Sequence, residues 1–110
     1  MKIYKLVLAV LLGAIFITGC AVVDVTKTAK GHYDSTNPND VQIFVTRPER
    51  SYEELGTVTA TQFLPQETAK MHNAIRTKAA PLGADAVILG TSGILPNGRQ
   101  WATGVAIRWK

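Results

Sequence analysis

Few residues in this chain carry chemistry, and their spacing argues against most of it. The only histidines are His32 and His72, far apart in sequence and with no cysteine or histidine cluster beside them. A shared metal site would need two distant segments brought together, so both read as surface or boundary residues. Glu53 and Glu54 are adjacent. On a strand they face opposite sides and cannot form a facing acid–base pair, so they read as solvated edge residues. Ser35, Ser51 and Ser92 have no histidine and acid arranged around them in sequence as a triad. Gly90, Gly93 and Gly98 do not make a phosphate loop, because no Lys-Ser/Thr pair follows and no helix begins there. Asp85 is the one carboxylate in an apolar run, and a buried carboxylate needs a partner. Arg108 and the backbone amides of the preceding turn are the candidates, with a structural role capping the entry to a strand. The expectation is a protein that is not an enzyme and uses no metal or other cofactor.

The chemistry the sequence does suggest belongs to Cys20, the single cysteine. With one thiol there is no intrachain disulfide and no cysteine metal cluster. Lys2 and Lys5 precede an apolar run from Leu6 to Ile17, and Ile17-Thr18-Gly19 leads into Cys20. This pattern resembles a bacterial lipobox. The resemblance implies removal of residues 1–19 as a signal peptide and lipidation of Cys20. A retained signal anchor is the competing reading, since no charge falls between Lys5 and Asp24, close to a spanning length. No basic residue follows promptly to stop transfer. A multiply acylated Cys20 would hold a small domain stably on a bilayer.

Composition narrows the partners. The 110-residue chain carries a formal net charge of +4. Loss of Lys2 and Lys5 with the leader leaves ten basic and eight acidic residues, a net of +2. There is no lysine/arginine run and no interleaved aromatic series, so no nucleic-acid footprint. A folded part of about 70 residues without disulfides is marginal on surface-to-volume grounds, and self-association is one remedy.

The elements that must position any site are a few short strands and one helix. Residues 20–40 read as the lipidated cysteine and a flexible tether, with Val22, Val23 and Val25 as an apolar patch beside the lipid. Fully extended, that tether would lift the domain by up to ~65 Å. The folded domain then spans residues 41–110. Alternation predicts a first strand over 41–46, ended by Pro48. A second, β-branched strand follows over 52–60, with a bulge or close backbone approach at Gly56. A helix is expected over 67–79, with Met71, Ile75 and Ala79 on one stripe. Pro81 stops it, and Gly83 is the natural residue for the left-handed turn after it. Ala84 to Leu89 form a third, buried strand, and residues 90–100 a long hairpin connection with Pro96-Asn97-Gly98 at its tip. The fourth strand, 101–110, alternates without a break. Trp101, Thr103, Val105, Ile107 and Trp109 lie on one face, and small residues on the other leave room for a helix or a neighbouring sheet. The order is β-β-α-β-β, a small α+β sheet with one helix on one face. Ile94 and Leu95 at the hairpin tip, with Trp101, are candidate partner-binding residues.

Three segments carry a wider resemblance: Pro48 with Tyr52-Glu53-Glu54-Leu55-Gly56, then Lys78-Ala79-Ala80-Pro81-Leu82-Gly83-Ala84-Asp85-Ala86-Val87-Ile88, then Thr103-Gly104-Val105-Ala106-Ile107. With the lipobox, residues 41–109 resemble the family of outer-membrane lipoproteins that sense damage for the Rcs envelope-stress phosphorelay, and are similar to YbjQ-type domains. The resemblance implies a lipid-anchored envelope protein, most naturally at the outer membrane facing the periplasm, that binds another envelope protein. YbjQ-type relatives also imply oligomeric rings and, loosely, heavy metals. The chain departs from the Rcs family in lacking any cysteine after Cys20, so the family's disulfides are missing. A self-assembling structural lipoprotein, with the Trp101/Trp109 face buried between subunits, is the alternative.

Overall fold

A computed structural model describes residues 21–110; the signal peptide expected over residues 1–19 and Cys20 lie outside the described residues. The fold is α+β, a five-stranded mixed sheet with one helix packed on one face. In chain order the elements are β1 (Val22–Lys27), β2 (Gln42–Phe44), β3 (Tyr52–Phe63), α1 (Thr68–Ala79), β4 (Ala86–Ile94) and β5 (Gln100–Trp109). Across the sheet the order is β1-β3-β5-β4-β2. All neighbours are antiparallel except β2 and β4, which run parallel. Among the described residues no helix is long and apolar enough to cross a membrane.

The expected tether is the main correction. Residues 22–27 form an edge strand paired with β3, from Val22 opposite Thr61 to Lys27 opposite Gly56. Val23 and Val25 pack against the core while Asp24 and Thr26 point away. These valines alternate with polar residues, the signature of a half-buried strand, rather than forming a patch beside the lipid. The rest of the segment, 28–40, is also seated. Thr28 and Ala29 donate backbone bonds to the Leu55 carbonyl, and Thr36 donates one to that of Ala80.

Gly56 explains why β1 can dock. The β3–β5 register slips between Glu54 and Gly56, the expected bulge. A Cβ on Gly56 would stand 2.5 Å from the carbonyl oxygen of Thr26. Only glycine lets the edge strand approach this closely.

The helix covers the face made by the small residues of β5. Ala102 and Ala106 are buried in one core with the helix stripe Met71, Ile75 and Ala79, and the helix itself runs closest to β3, β1 and β4. Leu55, Val58, Ala60, Phe63 and Val87 complete this core. A short 3₁₀ turn, Pro65–Glu67, leads into α1, and Glu67 accepts the Leu64 N–H at 2.8 Å in a capping arrangement. A second one, Ala80–Leu82, carries the chain past Pro81 to Gly83, which adopts φ +87°.

The hairpin connection is shorter than expected. β4 continues to Ile94 and β5 starts at Gln100, leaving Leu95 to Arg99 as the turn. Gly90 sits at a register slip in β4, so the strand bends there rather than ending. The first expected strand shrinks to Gln42–Phe44. Among the described residues, the opposite face of the sheet carries no helix. Phe44 meets Trp109 edge-on there at 5.9 Å between ring centroids.

Candidate functional site

A cleft of about 590 Å³ opens at one end of the sheet, where β5 finishes and β3 begins. The fold-back of residues 28–40 forms one wall and the β2–β3 connection another. Tyr33 and Trp109 supply aromatic surfaces, and Arg50, Arg108 and Lys110 supply exposed cations. The cations are organised by the rings. The Arg108 guanidinium lies 4.2 Å from the Tyr33 centroid, and that of Arg50 lies 4.8 Å from the Trp109 centroid. Stacking of this kind holds a guanidinium in place while leaving its edge free to donate hydrogen bonds.

Tyr33 is the pivot of the wall. Its hydroxyl donates to the Glu53 carboxylate, so Glu53 is not the solvated edge residue expected from its neighbour pattern. The register explains the meeting, because Glu53 pairs with Arg108 on the helix side of the sheet while Glu54 pairs with Ile107 on the other. The hydrogen bond to Glu53, then partial burial and the carboxylate's charge, push the Tyr33 hydroxyl above its ordinary value of 10, against the opposing pull of Arg108.

Asp85 lies at the floor of the cleft and its partner differs from both candidates. Its Oδ2 accepts the backbone N–H of Trp109 at 2.9 Å. Its own N–H donates to the Ile107 carbonyl at 2.8 Å, and its carbonyl accepts the Gln42 N–H at 3.1 Å. Asp85 thus joins β4 to both neighbouring strands, whereas Arg108 is committed to Tyr33. Gly83 lies directly beneath the wall, and a Cβ there would stand 2.6 Å from the Tyr33 Cβ.

The remaining sequence candidates scatter. His32 lines the cleft, and His72 lies half-buried on α1, where burial and then the charge of Arg76 push it below its ordinary 6.5. Among the described residues no group of three or more His, Cys, Asp or Glu side chains is placed to hold a metal ion. Ile94, Leu95 and Trp101 stand at the opposite end of the sheet from the cleft, with Ile94 64% exposed and the other two half-buried. Cys20 lies outside the described residues.

Sequence reasoning missed the cleft because it assigned Tyr33 to a tether. The only available signal was the alternation of Val23 and Val25, which extends the sheet and so brings the following residues back onto it.

The chain matches no protein-family model and no curated protein sequence. It is similar in fold to the crystal structure of a Francisella virulence factor, FvfA, in its orthorhombic form, at a TM-score of 0.57 and 15% sequence identity. The match covers 79% of this chain and 97% of that one. At this identity the likeness concerns the fold alone.

Proposed function

We propose that this chain is a non-catalytic, lipid-anchored protein of the bacterial cell envelope, held at the outer membrane by Cys20 and facing the periplasm, that acts as a protein-interaction module in envelope-stress sensing of the Rcs type. The observation that carries it is the exposed cation–aromatic cleft at the end of the sheet remote from the chain's approach to Cys20. A module anchored at one end and recognising at the other suits an envelope sensor. The stacked Arg50 and Arg108, with Lys110, suit an acidic segment of an envelope partner, since oriented guanidinium groups bind carboxylates in a fork geometry.

The test is in-cell photo-crosslinking from position 110 in the native host, with and without envelope stress. A discrete adduct to another envelope protein, lost in the Arg50→Glu/Arg108→Glu variant, is the expected result. No adduct under either condition overturns the reading.

The self-assembling structural lipoprotein is supported by one feature. Val45, just beyond the β2 edge, is 77% exposed. A ladder of self-adducts in the same experiment, with a concentration-dependent mass by light scattering, would favour it.

A further inference from the structure

The two ends of the sheet differ in chemistry. The cleft end carries Arg50, Arg108, Lys110, Glu53 and Asp85. At the other end three segments meet: the start of β1, the β3–α1 connection and the β4–β5 turn. Residues 21–23, 61–67 and 94–101 together contain two charged side chains, Glu67 and Arg99. Three large hydrophobics are exposed among the described residues, and two of them, Val22 at 42% and Ile94 at 64%, are at this end.

The three segments are latched together. Val22 pairs with Thr61. The next residue, Gln62, adopts φ +66°, and its side-chain Oε1 accepts from Asn97 Nδ2 at 2.9 Å while its carbonyl accepts from Arg99 at 3.1 Å. Gln100 Nε2 donates to the Leu64 carbonyl at 2.8 Å. β1 and β4 are separated only by β3 and β5, so Ile94 lies about 15 Å across the sheet from the β1 side at ~4.8 Å per strand. Val22 is two residues beyond Cys20, at most ~7 Å of chain.

We propose that the β4–β5 turn is a second membrane contact, with Ile94, Leu95 and Trp101 seated in the bilayer interface beside the acylated cysteine. This rests on the lipid-anchor reading of Cys20 and reassigns the turn from a protein partner to a lipid surface. A single anchor fixes height and leaves orientation free. A second apolar contact rigidly joined to the anchored strand fixes orientation as well, and turns the cleft away from the bilayer. Ile94 gains by leaving water. Trp101 suits the headgroup layer, where an apolar ring with one N–H donor is favoured. Arg99 and Glu67 offset each other in charge, so these segments carry no net charge.

The test uses the full acylated chain, with Cys20 acylation verified by mass, in vesicles of phosphatidylethanolamine and phosphatidylglycerol. Acylation leaves an introduced cysteine as the only free thiol, so Ile94→Cys and Lys78→Cys each carry a single nitroxide; Lys78 is exposed near the cleft end of α1. The expected result is a several-fold loss of access to an aqueous nickel complex at 94, with a gain in access to oxygen, and neither change at 78. Equal nickel access at the two positions, with Cys20 acylated, overturns this inference alone. Protection at 94 that appears in native membranes but not in pure-lipid vesicles assigns the turn to a protein and also overturns it. An unmodified Cys20 overturns the anchor reading and the inference with it.

Discussion

The Cβ of Tyr33 lies over Gly83, so close that a Cβ on the glycine would approach to 2.6 Å. This packing joins the fold-back of residues 28–40 to the turn after the helix, and it sets the position of the cleft wall. Gly83 therefore answers two demands, a left-handed backbone at φ +87° and an absent side chain beneath Tyr33. Gly83→Ala should destabilise the domain by about 2 kcal/mol or more, adding the left-handed penalty of ~1–2 kcal/mol to a steric clash. Urea denaturation followed by tryptophan fluorescence measures it. A loss within a few tenths would mean that the wall moves freely.

The docking of β1 gives a prediction that separates strand from tether. Gly56→Ala forces a Cβ against the Thr26 carbonyl oxygen at 2.5 Å. The expected cost is about 1–3 kcal/mol, the range for overpacking a closely packed site. Amide exchange at residues 22–27 should accelerate more than at β5. Uniform exchange across the sheet would show that the strand does not yield first.

Tyr33 and Glu53 predict a pH effect whose sign follows from the proton. The raised pKa means the folded state holds the Tyr33 proton more tightly than the unfolded chain does. Its contribution is complete below the unfolded value of about 10 and is lost as pH rises through the higher folded value. Ultraviolet titration should show a phenol ionising above pH 10 that is missing in Tyr33→Phe. Wild-type stability should fall more steeply than the variant's at alkaline pH. Superimposable alkaline curves would argue against the pairing.

Glu67 predicts the opposite dependence in acid. The Leu64 N–H, followed by Lys70 at 3.2 Å, holds its carboxyl below the ordinary 4.5. Its contribution is present above that unfolded value and is lost as pH falls through the lower folded one. Glu67→Gln should be less stable than wild type at neutral pH, and the gap should close in acid. A gap independent of pH would assign the effect to side-chain shape.

The contact between helix and sheet can be probed from both sides. Ile75 and Ala106 are fully buried in the same core. Ile75→Ala should cost about 2–5 kcal/mol by leaving a cavity. Ala106→Leu should cost about 1–3 kcal/mol by adding volume where the helix approaches. Thermal unfolding reports both. A neutral Ala106→Leu would mean that the helix sits farther from β5 than these burials imply.

The sequence by itself determined the α+β class, the helix and its buried stripe, the turn at Gly83, the bulge at Gly56 and the apolar–small alternation of β5. Each is set by local chemistry: 3.6-residue and two-residue periods, proline geometry and the freedom of glycine. Tertiary structure alone decided the rest. Whether Val22–Lys27 is a strand depends on an edge being open beside Gly56, and short alternating runs carry no information about available partners. The partner of Asp85 depended on strand order, which brings the Trp109 amide to it while Arg108 stacks on Tyr33. The cleft depended on both, because its walls come from segments distant in sequence that meet only once the sheet has formed. Pairing across a sheet is a long-range choice, made by burial and register rather than by the residues nearest in the chain.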